Sequence, residues 1–190
     1  MPSAATPFKL PHACPRSERR HVPDDVLDRI QALYDQSRYL DAWEIAQGSA
    51  PLHSWQGAKA QVLGYRLGQL IGASRTSALL INRARRENPR DTRVAVYFGY
   101  YLADRRGPIV AWEHAGSTLR HDDPSDKDRA DLLAQQARIA STYRDFRTAW
   151  NLMNEARALR PDSPWLATEQ SALMQREDRN EEAFAPLDEA

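Results

Sequence analysis

Glycine, lysine and cysteine are all scarce in this chain, and each shortage excludes something. Only 8 glycines occur in 190 residues, too few for the hairpin turns and phosphate-cradling loops that depend on glycine conformations. Neither Gly-x-x-x-x-Gly-Lys nor Gly-x-Gly-x-x-Gly is present, which removes the common nucleotide-binding loops. The single cysteine, Cys14, has no partner for an internal disulfide, so nothing requires an oxidising compartment. No stretch approaches the roughly 20 apolar residues of a membrane span. An excess of one charge is missing too: 26 Lys+Arg balance 26 Asp+Glu, which argues against a general nucleic-acid binder. Lys9, Lys59 and Lys127 are the only lysines, so 23 of the 26 basic residues are arginine, a usage that fits a GC-rich bacterial genome. What remains is a soluble chain, 42% hydrophobic, with an all-helical fold as the first expectation.

Residues 1–23 differ from the rest. Pro2, Pro7, Pro11, Pro15 and Pro23 interrupt helix and sheet hydrogen bonding alike, so the segment reads as a flexible, proline-rich leader. It lacks the apolar core of a secretory signal, which points to a retained leader and a cytoplasmic protein. From Asp24 onward, Val26, Leu27, Ile30, Leu33 and Tyr34 recur at three- and four-residue steps, the apolar face of an amphipathic helix.

The chain then repeats itself. Small residues at Ala42, Ser77, Ala111, Ala149 and Ala183 are separated by 35, 34, 38 and 34 residues. A large aromatic follows several of them, at Trp43, Trp112, Trp150 and Phe184. A second small position lies seven residues on, at Ala84, Ala156 and Ala190, with Ser49 and Thr118 in the other units. Pro89 and Pro161 each stand twelve residues after the first small position, where proline stops a helix by pushing its predecessor out of the α region. Two antiparallel helices approach closely only where side chains are small, so the pattern predicts stacked helix pairs. These units resemble tetratricopeptide repeats (TPRs), helix–turn–helix units of 34 residues. The resemblance covers residues 24–190, about 4.9 units, near 24–56, 57–91, 92–125, 126–163 and 164–190. It implies an all-α, right-handed superhelical solenoid of about five units. The predicted helices run near 24–36, 39–47, 57–71, 75–87, 92–103, 108–119, 124–142, 146–159, 164–175 and 181–190. Asp123-Pro124 and Ser163-Pro164 both read as an N-cap followed by proline at the first helical position.

The last unit stops in mid-helix at Ala190, without the polar cap that closes a solenoid array. The chain therefore reads as the N-terminal portion of a longer TPR-containing bacterial protein.

A search for chemistry yields no catalytic, cofactor-binding or metal-binding set. Cys14 with His12 and His21 lies in the leader, where nothing would hold a thiolate and base in register. His114 and His121, seven apart and followed by Asp122 and Asp123, read as surface histidines beside carboxylates that precede a helix. The run Arg83, Arg85, Arg86, Arg90 and Arg93 offers an anionic ligand a contact, but reads first as a solvated face at the cation-favouring end of a helix dipole, diluted by Glu87 and Asp91. The chain reads as a non-enzyme without cofactor.

In TPR superhelices the first helices of successive pairs line a concave groove. Carrying that arrangement over by position, the groove should include Gln31, Lys59, Val62, Arg66, Arg93, Val96, Tyr97, Tyr100, Gln135 and Arg138. Tyrosine and arginine suit interface hot spots, although Tyr97 and Tyr100 fit packing between units as well as binding. Trp165 is expected to pack. The Lys/Asn/Arg set with which some TPR domains clamp a terminal carboxylate is absent as a pattern, since unit four has Asp131, Ala134 and Arg138 at the relevant first-helix positions and unit five has Glu169. The resemblance implies a scaffold that captures a protein or peptide segment in the groove, with no nucleic-acid or membrane partner. Two alternatives stand beside it. One is the non-catalytic region of a larger, cysteine-peptidase-like enzyme; the other is an oligomerisation module using the uncapped end.

Overall fold

The computed structural model describes residues 18–188. Cys14 and His12, most of the expected leader and the second small position at Ala190 lie outside them. Among the described residues the regular elements are ten α-helices and short 3-10 turns. They are α1 (Asp24–Asp35), α2 (Tyr39–Ser49), α3 (Ala58–Leu70), α4 (Ser74–Glu87), α5 (Thr92–Arg106), α6 (Pro108–His121), α7 (Asp126–Thr142), α8 (Phe146–Leu159), α9 (Pro164–Arg176) and α10 (Ala185–Asp188). The chain divides into two compact units at Ala84–Arg85, within the final turn of α4, whereas the sequence reading treats 24–190 as one domain.

A shared turn joins the helices of each pair. Ser37, Gly72, Gly107, Arg144 and Asp178 all have positive φ, between 60° and 94°. In four of them the third amide beyond the helix folds back on it: Arg38 to Leu33, Ala73 to Gly68, Asp145 to Ala140 and Arg179 to Met174, at 2.8–3.1 Å. This left-handed closure satisfies carbonyls that a helix end otherwise leaves open. It is imposed on serine, arginine and aspartate as well as glycine. Downstream of each turn, the expected small residues Ala42, Ser77, Ala111, Ala149 and Ala183 are buried to 1% exposure or less.

In the first unit α1 packs on α2, and α3 on both. Its core includes Leu27, Ile30, Ala46, Leu67, Leu80 and the fully buried Trp55. Trp55 belongs to an unpredicted connector, in which Leu52–Ser54 forms a 3-10 turn. Residues 20–22 are attached here. The Arg20 amide donates to the Ser54 carbonyl at 2.8 Å, the Gln56 amide donates to the Arg20 carbonyl at 3.0 Å, and Val22 is 1% exposed. Residues 18–22, assigned above to a flexible leader, therefore pair and pack: the buried valine side chain outweighs the interruption by Pro23.

The second unit holds α5 to α10. Its α7 is surrounded by α5, α6, α8 and α9, and Ala130, Ala134, Ala137, Ala140, Ala149 and Ala156 form its core with Leu133, Met153, Leu166 and Leu173. Trp112, Trp150 and Trp165 pack against that core, in line with the expectation for Trp165. Side-chain caps start the helices: Asp91, Ser125, Asp145 and Ser163 each accept an amide three residues on.

Two boundaries differ from the sequence reading. Asp123 does not cap a helix at Pro124. The Ser125 hydroxyl accepts the Asp128 amide at 3.2 Å, and α7 begins one residue later with Asp126 and Asp128 in its first turn, complementing the dipole. The last predicted helix, 181–190, is instead a 3-10 turn at Glu182–Phe184 followed by α10. Pro186 has no amide to donate to a continuous helix, and Phe184 is 66% exposed rather than packed.

Candidate functional site

The expected groove positions fall into two sets, one in each unit. In the first unit, α3 presents Lys59 and Arg66 to α1. The Lys59 ammonium lies 2.8 Å from Asp28 and 3.5 Å from Asp24. Arg66 donates to Gln31 at 3.0 Å, lies 3.9 Å from Asp35 and stacks its guanidinium 3.9 Å above the Tyr34 ring. Gln31 in turn donates to Asp35 at 2.6 Å. These side chains are engaged with their own chain. Val62 is buried and does not reach the surface, because the helix turns it toward the core that Leu63 and Leu67 also fill.

In the second unit α7 packs between α5 and α9, so the first helices of successive pairs lie side by side. Arg93 on α5 donates to Asp131 on α7 at 2.8 Å and to the Tyr97 hydroxyl at 2.9 Å, and lies 3.6 Å from Asp128. Arg160, just past α8, donates to the other Asp131 oxygen at 3.3 Å. Thr92 donates to Asp128 at 2.6 Å. Arg138 on α7 stacks over Tyr100 on α5, its guanidinium carbon 5.0 Å from the ring centroid. Tyr97 and Tyr100 lie 6.2 Å apart. Arg176 at the end of α9 donates to the Ser141 hydroxyl at 3.1 Å. Arg93, Tyr97, Tyr100 and Arg138 thus form one half-buried row across α5 and α7.

Val96 and Gln135, expected on this row, are buried to 1% exposure. Val96 packs with Ala115 and Leu132. Gln135 is wedged against Gly99, where an added Cβ would stand 2.3 Å from its amide oxygen, and neither amide atom has a partner. With Val62, both correct the groove list: Val96 on α5 is covered by side chains of α6 and α7, and Gln135 lies on α7, which is covered on nearly every side. Conversely, Asp128, Arg160 and Arg176 were not singled out. Arg160 finds Asp131 across 29 residues of sequence and Thr92 finds Asp128 across 36, so no local pattern pairs them.

Burial sets the protonation of this face. Glu169 on α9 is raised above its ordinary 4.5 by desolvation, against the pull of Arg138 and Arg176. Desolvation likewise outweighs Arg93 and Arg160 at Asp131, raising it above 3.8. Tyr100 is pushed well above 10.0 by burial, with Glu169 adding to the effect. A carboxyl with a raised folded-state pKa stabilises most when protonated and loses that contribution as pH rises through its folded value. Glu169→Gln should therefore be at least as stable as the parent at pH 7, with its advantage closing as pH falls toward 4.5. Urea midpoints across pH 4.5–7.5 test this; an advantage that widens on acidification refutes it. Glu177 and Glu182, both lowered by bonds to Arg179 or Trp150, act oppositely but equally in both proteins.

Other candidates have structural partners. His114 contacts the Ala95 carbonyl at 3.0 Å and Phe98 edge-on, and burial lowers its pKa. Within the arginine run, Arg83 is buried and donates to the His53 carbonyl at 2.9 Å, Arg85 bonds the Pro89 carbonyl, and Arg93 takes part in the pairs above. Among the described residues no three His, Cys, Asp or Glu side chains are grouped to hold a metal, and no helix is long and apolar enough to cross a membrane.

Antiparallel helix pairs, most of them closed by the same left-handed turn and packed through small residues at a period near 34, define a TPR-like helical repeat fold. No protein-family model matches the chain, and no curated protein matches its sequence. Solved structures do share the fold. PilW, described as a widely conserved type IV pilus biogenesis factor, superposes with a TM-score of 0.63 at 12% identity, over 86% of this chain and 75% of that one. PilF of Pseudomonas aeruginosa gives 0.57 at 13% identity, over 87% and 74%. MamA AMB-1 gives 0.54 at 14% identity, over 87% and 92%. At these identities the likeness is one of fold.

Proposed function

We propose that the chain is a protein–protein interaction scaffold that captures a partner segment on the face formed by α5, α7 and α9. The observation that supports it is the row Arg93, Tyr97, Tyr100 and Arg138, partly exposed yet held by ion pairs and ring stacking. Tyrosine and arginine supply contact area together with donors, and side chains already ordered lose little entropy on binding. The first-unit face fits this role less well, since Lys59 and Arg66 are engaged by carboxylates of α1. Fold likeness to a pilus biogenesis factor is in keeping with a scaffold.

A photo-crosslinking residue at Tyr97 should yield adducts with a discrete set of partners in cells of the source organism. The same residue at exposed Arg147 on α8 should not. Equal adduct patterns from both positions overturn the assignment of the binding face.

A further inference from the structure

Within the proposed face, two cations stand apart from the ion pairs. Arg93 and Arg160 each have a carboxylate of the chain within ion-pairing distance, whereas Arg176 bonds only the Ser141 hydroxyl. Arg138 has no such carboxylate among the described residues; its guanidinium rests on the Tyr100 ring alone. Cation–π stacking fixes a guanidinium's position while leaving its edge N–H groups available for a planar acceptor. On α9, which packs against α7, Glu169 is half-buried, and it too has no ion-pair or hydrogen-bond partner among the described residues. Arg176, seven residues further along α9, is anchored to Ser141 of α7 at 3.1 Å. Glu169 feels the charges of both arginines without touching either.

Charge counting defines what fits. On the α5 side, Asp128 and Asp131 meet Arg93 and Arg160, two charges against two. On the α9 side Arg138 and Arg176 face Glu169 alone, leaving one positive charge in excess. We infer that Arg138, on its Tyr100 platform and assisted by Arg176, binds a single acidic side chain, Asp or Glu, of an extended partner segment, and that Glu169 excludes a dianion such as phosphoserine from the same position. This rests on the α5–α7–α9 face being the binding face. Recognition groups lie on both sides of Arg138, with Arg93 and Tyr97 toward α5 and Glu169 and Arg176 toward α9. The segment therefore passes over Arg138, and an internal side chain supplies the carboxylate. One carboxylate neutralises the excess charge; a second negative charge meets the half-buried Glu169, and like charges at a partly desolvated surface repel strongly. A guanidinium edge also matches the planar, two-oxygen geometry of a carboxylate.

The test uses the full chain and a nonapeptide library with blocked termini, whose central residue is Glu, Asp, Gln, Lys or phosphoserine among randomised flanks. Retained sequences are counted for the parent, Arg138→Gln, Arg138→Lys and Glu169→Gln, each checked for helicity. The expected result is enrichment of Glu and Asp over Gln by about tenfold for the parent, the scale of one charged hydrogen bond. Arg138→Gln should abolish that enrichment and Arg138→Lys retain part of it. Phosphoserine should be depleted with the parent and admitted by Glu169→Gln. Retained peptides without acid preference, or an acid preference that survives Arg138→Gln, overturn the inference while leaving the binding face intact. Should the parent retain no library member, the reading of the face itself fails, and the inference with it.

Discussion

Trp55→Ala should destabilise the first unit by about 3–5 kcal/mol, the range for truncating a fully buried large aromatic. That is a large share of the roughly 5–15 kcal/mol stabilising a typical domain. Trp55 is 0% exposed and lies against the contact where Leu80 and Leu52 also approach Gly64. Its indole N–H donates to the Ala50 carbonyl at 3.0 Å, so truncation also strands that acceptor. Its own backbone sits in the connector to which the Arg20 backbone is bonded. Trp55→Phe, which keeps one six-membered ring but loses the rest of the indole with its N–H, should cost about 2 kcal/mol. Urea unfolding followed by helical circular dichroism separates the two. A cost under 1 kcal/mol for Trp55→Ala would mean that the connector stands outside the cooperative core.

Trp55 also marks where sequence reasoning ran out. The repeat, its pairing and nearly all helix boundaries are legible because small residues recur at a fixed period and close helix contacts exclude anything larger. Ala42, Ala149 and Ala156 are buried as that logic requires. A connector between repeats has no period, so the burial of Trp55 and the docking of Arg20 and Val22 left no signature. The left-handed turns at Ser37, Arg144 and Asp178 escaped for a related reason. Only glycine advertises positive φ, and here the geometry of the helix pair overrides a local penalty of about 1 kcal/mol or more. Site residues divide along the same line. Positions on α5 and α7 are carried over from the repeat resemblance, and Arg93, Tyr97, Tyr100 and Arg138 do share one row. The carry-over does not reveal which positions neighbouring helices cover, and Val96 and Gln135 are buried. Nor could it reveal that Arg93 reaches Asp131 across 38 residues.

Asp131→Ala should be the most damaging change on the proposed binding face, at about 3 kcal/mol. This is the low end of the ~3–5 kcal/mol found when one partner of a buried ion pair is removed. Asp131 is 11% exposed and the arginines about a third, 33% for Arg93 and 30% for Arg160, so water screens part of the loss. The two arginines are affected unequally. Arg93 retains Asp128 at 3.6 Å and the Tyr97 hydroxyl, whereas Arg160 has no other partner among the described residues. Removing Arg160 as well should therefore recover part of the cost, and a double-mutant cycle on Asp131 and Arg160 should give a coupling energy of about 1 kcal/mol or more. Asp131→Asn, which keeps the shape and one acceptor, should fall between the parent and Asp131→Ala. The same substitutions test pre-organisation directly. If Asp131→Ala unfolds with the parent's midpoint, Arg93 and Tyr97 are not held in place by this carboxylate, and the entropic argument for a ready-made binding row fails. If the midpoint falls as expected and crosslinking through Tyr97 falls with it in the still-folded Asp131→Asn protein, the ion pair acts on binding through the order it imposes on the row.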